Sequence, residues 1–357
     1  MSVLGLRGIG PKKEKVLICN GYDTREKLMK ADFYDIMRLP GFGYIITCNI
    51  WDLLGRDLDY LNMFEVTEYT DEEVIIENKK IVPWKQYKKS KDFVLQPPEY
   101  KPQRTTVWSF PDRGDWASHT PQYRGNWSPW VVRNIIERFS KPGDTVLDPM
   151  VGGGTTPVEC KLLGRNSIST DINPGAIQIT RDRLTFPDDV GEKLPLTLHK
   201  TYVGDVRNLN LIEDESIDLI ATHPPYANII RYAPCVDGDL SQITDYRLFF
   251  REYRKAIKEM YRVLKPGACC AILIGDTHNK SHYVPISTKM MINYLEEGFV
   301  LREDIIKREW NCESDRYLAK YAGADFLLTM HEHLFVFEKP GANVNNLKNS
   351  SLEFFKE

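Results

Sequence analysis

Between residues 148 and 226 the chain sets acidic, glycine-rich and proline-rich clusters at the ends of short apolar runs. The first is Asp148-Pro149-Met150-Val151-Gly152-Gly153-Gly154-Thr155-Thr156, a glycine turn that enters a helix at Pro157. Such a turn serves ATP, NAD or S-adenosylmethionine, and its details choose among them. No Lys-Ser/Thr pair follows at the spacing of a Walker loop, which excludes ATP in that mode. In a dinucleotide site the third glycine of G-x-G-x-x-G would fall at Pro157, and Asp148 would face a pyrophosphate; both disfavour NAD. A carboxylate there suits a ligand with an ammonium group and no phosphate, such as the methionine half of S-adenosylmethionine, with Met150, Gly152, Gly154 and Thr155 around it. Asp171, followed by Ile172, ends the next run, where a carboxylate accepts ribose hydroxyls. Asp205 ends the third and is placed to accept an adenine amino group. A lone Asp after a strand is usually a helix cap. Three of them after three successive strands point to a ligand instead.

The fourth run ends in Ala221-Thr222-His223-Pro224-Pro225-Tyr226. It resembles the (D/N/S)-P-P-(Y/F) motif of the amino-methyltransferases, which methylate cytosine N4, adenine N6 or related planar amines. The glycine turn is similar to their DPFxGxGT motif, with Met150 in the Phe position. Tyr123-Arg124-Gly125-Asn126-Trp127-Ser128-Pro129 resembles the segment that precedes it in the branch acting on cytosine N4 and adenine N6. The resemblance covers about 105 to 340 and implies S-adenosylmethionine as cofactor, with Trp127 and Ser128 closing over it. It also implies roles for the motif. An exocyclic amine is a poor nucleophile because its lone pair is delocalised into the ring, and acceptors for its two hydrogens localise that pair opposite the sulfonium methyl. By resemblance these acceptors are His223 and the carbonyl of Pro224, Pro225 shapes the backbone, and Tyr226 stacks on a flipped base. His223 departs from the family's usual Asp, Asn or Ser. A neutral imidazole accepts one hydrogen bond, and a pKa near neutrality would also let it take a proton. Cytosine N4 is the first expectation and adenine N6 the second.

The elements that must position these groups are legible as alternating strands and helices. DTVLD (144–148), SISTD (167–171), HKTYVGD (199–205), IDLIAT (217–222) and CCAILIGD (269–276) read as strands, and Asp245 to Leu264 as a helix. This pattern predicts an α/β fold with a mostly parallel, doubly wound sheet, Rossmann-like and of the class I methyltransferase type, spanning 105–340. Ligands in such sheets sit beyond the carboxyl ends of the strands, where all four clusters fall. Residues 341–357 form a polar tail. Asn228, Arg231, Tyr232 and the run 237–240 follow the motif and are candidates to line a base pocket. His331 and His333 alternate on an expected last strand; with no third ligand near, no metal site is expected.

Residues 1–56 carry two matching turns, Leu6-Arg7-Gly8-Ile9-Gly10-Pro11 and Leu39-Pro40-Gly41-Phe42-Gly43, between short helical stretches. They resemble a tandem helix-hairpin-helix module, which implies phosphate contacts at Gly8, Gly10, Gly41 and Gly43 with Lys12 and Lys13 beside them. This all-α segment has a charge of +3, residues 57–78 of −8 and residues 79–104 of +6. The last stretch interleaves Trp84, Tyr87, Phe93 and Tyr100 with bases, among them Lys85, Lys88 and Lys89. Both a nucleic-acid platform and a charged linker pinned by aromatics fit that composition. The total of −3 excludes a histone-like coat, so phosphate binding must be local. The partner is expected to be nucleic acid, DNA or structured RNA such as ribosomal RNA; a non-catalytic nucleic-acid-binding protein on the same fold is the alternative. The sequence shows no signal peptide or membrane-spanning run, and seven scattered cysteines read as reduced packing residues in a cytoplasmic protein. Oligomeric state is not legible.

Overall fold

The expected strands form the middle of one nine-stranded sheet. The computed structural model describes residues 4, 9–56, 60–76, 79–89, 93–187, 193–226, 236, 238–279, 281–310 and 325–341. Four helices open the chain: α1 (Pro11–Cys19), α2 (Arg25–Met29), α3 (Phe33–Met37) and α4 (Tyr44–Leu54). There follow β1 (Phe64–Glu65), the hairpin β2 (Val74–Ile76) and β3 (Lys79–Ile81), α5 (Trp84–Tyr87) and β4 (Val107–Ser109). The alternating part comprises α6 (Pro129–Phe139), β5 (Thr145–Asp148), α7 (Thr155–Leu162), β6 (Asn166–Asp171), α8 (Pro174–Leu184), β7 (His199–Val203) and β8 (Ile217–Thr222). It continues through α9 (Tyr246–Val263), β9 (Leu264–Gly275), β10 (Thr277–Asn279), β11 (His282–Val284), α10 (Ile286–Glu296), β12 (Val300–Arg308) and β13 (His331–Glu338).

The sheet runs β1-β7-β6-β5-β8-β9-β13-β12-β4. Strands β7, β6, β5, β8 and β9 are parallel, and β13 is inserted antiparallel between β9 and β12. This is the class I methyltransferase sheet, extended by β1 and β4 at its edges. Period-2 alternation divides its side chains between two layers. Val146, Leu219, Ala271, Leu273, Leu334 and Val336 pack with Val131, Val132, Ile135 and Ile136 of α6. Leu147, Ile220, Cys270, Ile272, Phe335 and Phe337 face the opposite layer with α9 and α10. Helix α9 begins where Asp245 accepts the N–H groups of Arg247 and Leu248, and its buried Leu248, Phe249, Tyr253, Ala256, Ile257 and Met260 recur at helical spacing.

The segments before the alternating part pack on it, and of the two readings of 79–104 the packing favours the one pinned by aromatics. Among the described residues of 57–104, β1 pairs with β7, and Val74, Ile76 and Ile81 pack on α8. Trp84 is buried with Leu95, Trp116 and Phe186, Phe93 packs on the same cluster, and Tyr100 stacks on Trp130 with centroids 6.3 Å apart. These aromatics hold the catalytic fold together, and among those four only Tyr87 is exposed. The N-terminal helices are likewise continuous with the larger core. Leu17, Leu28, Trp51 and Leu54 share an apolar cluster with Tyr202, Leu209 and the α9 face, and Asp52 pairs with Arg251 at 2.5 Å. Cys48, Cys160, Cys269 and Cys270 are buried, whereas Cys19 is exposed. Among the described residues no helix is long and apolar enough to cross a membrane.

Candidate active site

Asp148 is buried at the end of β5, where it accepts the Thr222 hydroxyl at 2.8 Å and the Thr156 hydroxyl at 2.5 Å. It thereby ties the end of β8 to the start of α7. The turn needs glycine because α8 and the Tyr123 segment press on it. A Cβ at Gly152 (φ +50°) would lie 2.9 Å from the Tyr123 ring, and one at Gly154 (φ +78°) would lie 2.9 Å from the Thr180 backbone. Asp171 accepts the N–H of Gly152 through one oxygen and that of Asn173 through the other, both at 2.9 Å. Arg183, buried, donates to the Gly153 carbonyl and to the Thr120 hydroxyl. Burial pushes Asp148 up to about 6 and Asp171 to about 7, against hydroxyl and backbone hydrogen bonds that favour their charged forms.

These groups surround a cavity of about 740 Å³, its open mouth included. Asp148, Met150, Gly152, Asp171, Ile172 and Asp205 form one side; Trp127, His223 and Pro225 form another. Asp239, from the run after the motif, adds a fourth carboxylate to the wall. Tyr123, Asn126 and Gly153 also line it; the first two belong to the segment 123–129 singled out by its resemblance, though no ligand role was expected of them. Other expected residues stand behind the surface. Gly154 starts α7, Thr155 donates to the Asn126 side chain, and the Ser128 hydroxyl donates to the Arg113 carbonyl. Pro224 is buried and, like Tyr226, is absent from the cavity wall. Asp205 reaches the cavity with its carboxylate clasped by the Arg207 guanidinium at 2.6 and 2.9 Å, and Arg207 also bonds Glu252.

The end of β8 holds an assembly that the sequence did not disclose. The His223 ring lies 5.3 Å from Tyr226 and is stacked on Trp127 at 6.0 Å. The Tyr226 hydroxyl contacts His223 Nε2 and donates to Glu332 at 2.5 Å, and Glu332 accepts from Lys307 at 2.6 Å. Gly275, Glu332 and Lys307 are paired partners across β9, β13 and β12. The missing Cβ of Gly275 makes room for the Tyr226 ring, which would come within 2.8 Å of it. Burial pushes His223 down to about 4, with Glu332 opposing, so the imidazole is neutral at pH 7. The near-neutral value that a proton-accepting role would need is absent. His331 and His333 lie on the other face of β13, where His333 pairs with Asp304 at 3.0 Å. Among the described residues no group of three or more His, Cys, Asp or Glu is placed to hold a metal.

The nucleic-acid candidates divide. Lys12, Lys85 and Lys89 are exposed, and Lys13 is half-buried. Lys88 donates to the carbonyls of Asp115 and Ala117, so its charge closes a loop of the catalytic fold. Gly10 caps α1. Gly41 and Gly43 turn the chain between α3 and α4 with φ of +81° and +102°, but the Gly43 N–H is taken by the Met37 carbonyl. Gly8 lies outside the described residues, as do Asn228, Arg231, Tyr232 and Asp237.

The fold and the site together define a class I methyltransferase with an amino-methylase type of motif. Residues 48–182 and 217–355 match the DNA methylase family of N6/N4 methyltransferases, and the chain belongs to that family. A Type II methyltransferase of Geobacillus stearothermophilus, M.BsoBI, is 48% identical over 54 residues, 15% of this chain and 11% of its own length. M.MjaI of Methanocaldococcus jannaschii, also a Type II methyltransferase, is 29% identical over 174 residues, 40% of this chain and 56% of its own. The chain thus spans little more than half, or far less, of these relatives. A putative DNA modification methylase from Thermus thermophilus, solved with S-adenosyl-L-methionine, aligns at 22% identity over 39% of this chain and 54% of its own, with a TM-score of 0.29.

Proposed function

We propose that this protein transfers a methyl group from S-adenosylmethionine to the exocyclic amine of a base in DNA, cytosine N4 first and adenine N6 second. The observation that carries the reading is that one cavity is walled both by the glycine turn with its carboxylates and by the motif residues His223 and Pro225. The wall fits that cofactor chemically: Asp148, Asp171, Asp205 and Asp239 offer acceptors for ammonium, hydroxyl and amino groups, and four carboxylates disfavour a phosphate there. When bound, the cofactor supplies an electrophilic methyl on a sulfonium sulfur. His223 and the Pro224 carbonyl accept the two amine hydrogens and hold the nitrogen lone pair toward that methyl. Tyr226 takes the stacking role by its place in the motif, from a ring that packs on Gly275 behind the cavity wall. His223 remains an acceptor rather than a base, and the proton released by the methylated amine goes to water.

The N-terminal helices are proposed to grip the phosphate backbone. Support comes from the exposed bases at the start of α1 and from the helical turn α3–α4, whose leading N–H groups no helix satisfies internally. Incubation with methyl-labelled cofactor and separate DNA and ribosomal RNA pools, followed by nucleoside mass spectrometry, tests the reading. N4-methylcytosine or N6-methyladenine in the DNA pool supports it. Label confined to RNA replaces the substrate, and label only in protein overturns base methylation.

A further inference from the structure

The chain Lys307–Glu332–Tyr226–His223 determines which nitrogen of His223 carries its hydrogen. Glu332 decides the direction. Burial alone would raise its pKa, but Lys307 at 2.6 Å, with His223 and the Tyr226 hydroxyl, outweighs burial and holds it below the usual carboxylate range. Paired with the Lys307 ammonium, Glu332 is a carboxylate at neutral pH and only accepts hydrogen bonds. A phenol has one proton, and Glu332 takes the hydrogen bond from it at 2.5 Å. The Tyr226 oxygen then meets His223 Nε2 with a lone pair, so Nε2 must be the N–H nitrogen. A neutral imidazole has one N–H, which leaves the lone pair on Nδ1. That atom is buried and, among the described residues, makes no hydrogen bond of acceptable geometry, although the Gly125 backbone lies near the ring, which lines the cavity. The opposite tautomer would donate toward Gly125 but press two lone pairs together at the Tyr226 contact, which is the one that meets hydrogen-bond geometry.

We propose that Glu332 and Lys307 are positioning residues that fix His223 as the Nε2–H tautomer, so that Nδ1 accepts a hydrogen from the target amine. The inference rests on the amino-methyltransferase reading. It accounts for a histidine in a place where the related motifs use a carbonyl, carboxylate or hydroxyl oxygen: with Nε2 tied off, the ring presents the site with an acceptor alone. Both residues act through Tyr226 and touch no reacting atom.

The tautomer is measured without substrate or cofactor, by long-range nitrogen–proton NMR on the full chain carrying ¹⁵N-labelled histidines, with His223→Gln to assign the signals. Nδ1 is expected to resonate as an unprotonated nitrogen and Nε2 as a protonated one from pH 6 to 8; the reverse assignment overturns the proposal. Glu332→Gln should mix the tautomers and lower kcat for DNA methylation by roughly 10- to 100-fold, the range typical of partners that orient a functional histidine, with cofactor KM within about twofold. Should that variant fail to fold, Lys307→Met combined with Glu332→Gln removes both charges and carries the same expectation. Full kcat in either variant, alongside an active wild type, refutes the positioning role. A wild type with the expected tautomer that methylates no base overturns the activity reading and leaves the tautomer assignment standing.

Discussion

Asp171 and Asp148 enter the cavity with carboxyl groups whose proton affinity burial has raised to about 7 and about 6. A ligand bearing an ammonium group and hydroxyl donors prefers their charged forms, so its binding competes with protons. The sign follows. Below pH 7 Asp171 takes a proton and becomes a poorer acceptor, and Asp148 follows near pH 6. The dissociation constant for S-adenosylmethionine should therefore rise by about tenfold or more between pH 8 and pH 5.5, as read by calorimetry across that range. Asp171→Asn should flatten the step near pH 7 and leave the one near pH 6. The site residues also separate by role: Asp171→Ala should weaken cofactor binding, whereas Tyr226→Ala should spare it and abolish transfer. Equal loss of binding in both would refute the division between a carboxylate side and a motif side of the cavity.

At the scale of elements, the row Gly275, Glu332, Lys307 shows how strand pairing builds what local sequence does not display. Gly275→Ala places a methyl group 2.8 Å from the Tyr226 ring. The expected result is a stability loss of about 1–3 kcal/mol by overpacking, normal cofactor affinity and a fall in kcat, because the displaced phenol no longer bridges His223 and Glu332. Unchanged kcat with a lowered melting temperature would mean that the Tyr226 position is irrelevant to transfer. The same row marks the limit of the sequence. Strand β8 (217–222) and helix α9 were legible to within a residue because apolar runs, alternation and the Asp245 cap are local signals. The insertion of β13 between β9 and β12 is a long-range choice that no local pattern encodes. Local pattern marks His331 and His333, which share one face of β13, and gives no sign that Glu332 between them faces Tyr226. The aromatics of 79–104 left two readings open for a related reason. Tryptophan and tyrosine interleaved with lysine describe a stacking platform and a strap over a core equally well, and only the apolar surface of α7 with Phe186 beneath Trp84 decides between them.

For the whole molecule, the charge of −3 conceals where phosphate would be held, and the structure narrows the places. Lys88 is engaged in closing a loop, Trp84 is buried and Phe93 and Tyr100 are packed on the fold, which leaves Tyr87 as the one exposed aromatic of the four and weakens residues 79–104 as a stacking surface, with Lys85 and Lys89 as exposed point charges. Lys12 and Lys13 at the start of α1 are the stronger candidates, since the N-terminal end of a helix favours anions and the bases lie beside it. Removing residues 1–56 would be a poor test: Leu17, Leu28, Trp51 and Leu54 belong to the same apolar cluster as α9, and truncation would strip that face and destabilise the catalytic fold. Reversing charge on the surface avoids this. Lys12→Glu with Lys13→Glu should leave the unfolding free energy within about 0.5 kcal/mol of wild type, and kcat at saturating DNA within about twofold, because neither residue lines the cavity. DNA affinity should fall, and the slope of log K against log salt should decrease by about 2 if each lysine neutralises one phosphate, at ~0.9 per contact. Titrations between 50 and 200 mM salt read that slope. An unaltered slope and affinity would assign the N-terminal helices to packing alone and return the search for phosphate contacts to Lys85, Lys89 and the edge of the cavity itself.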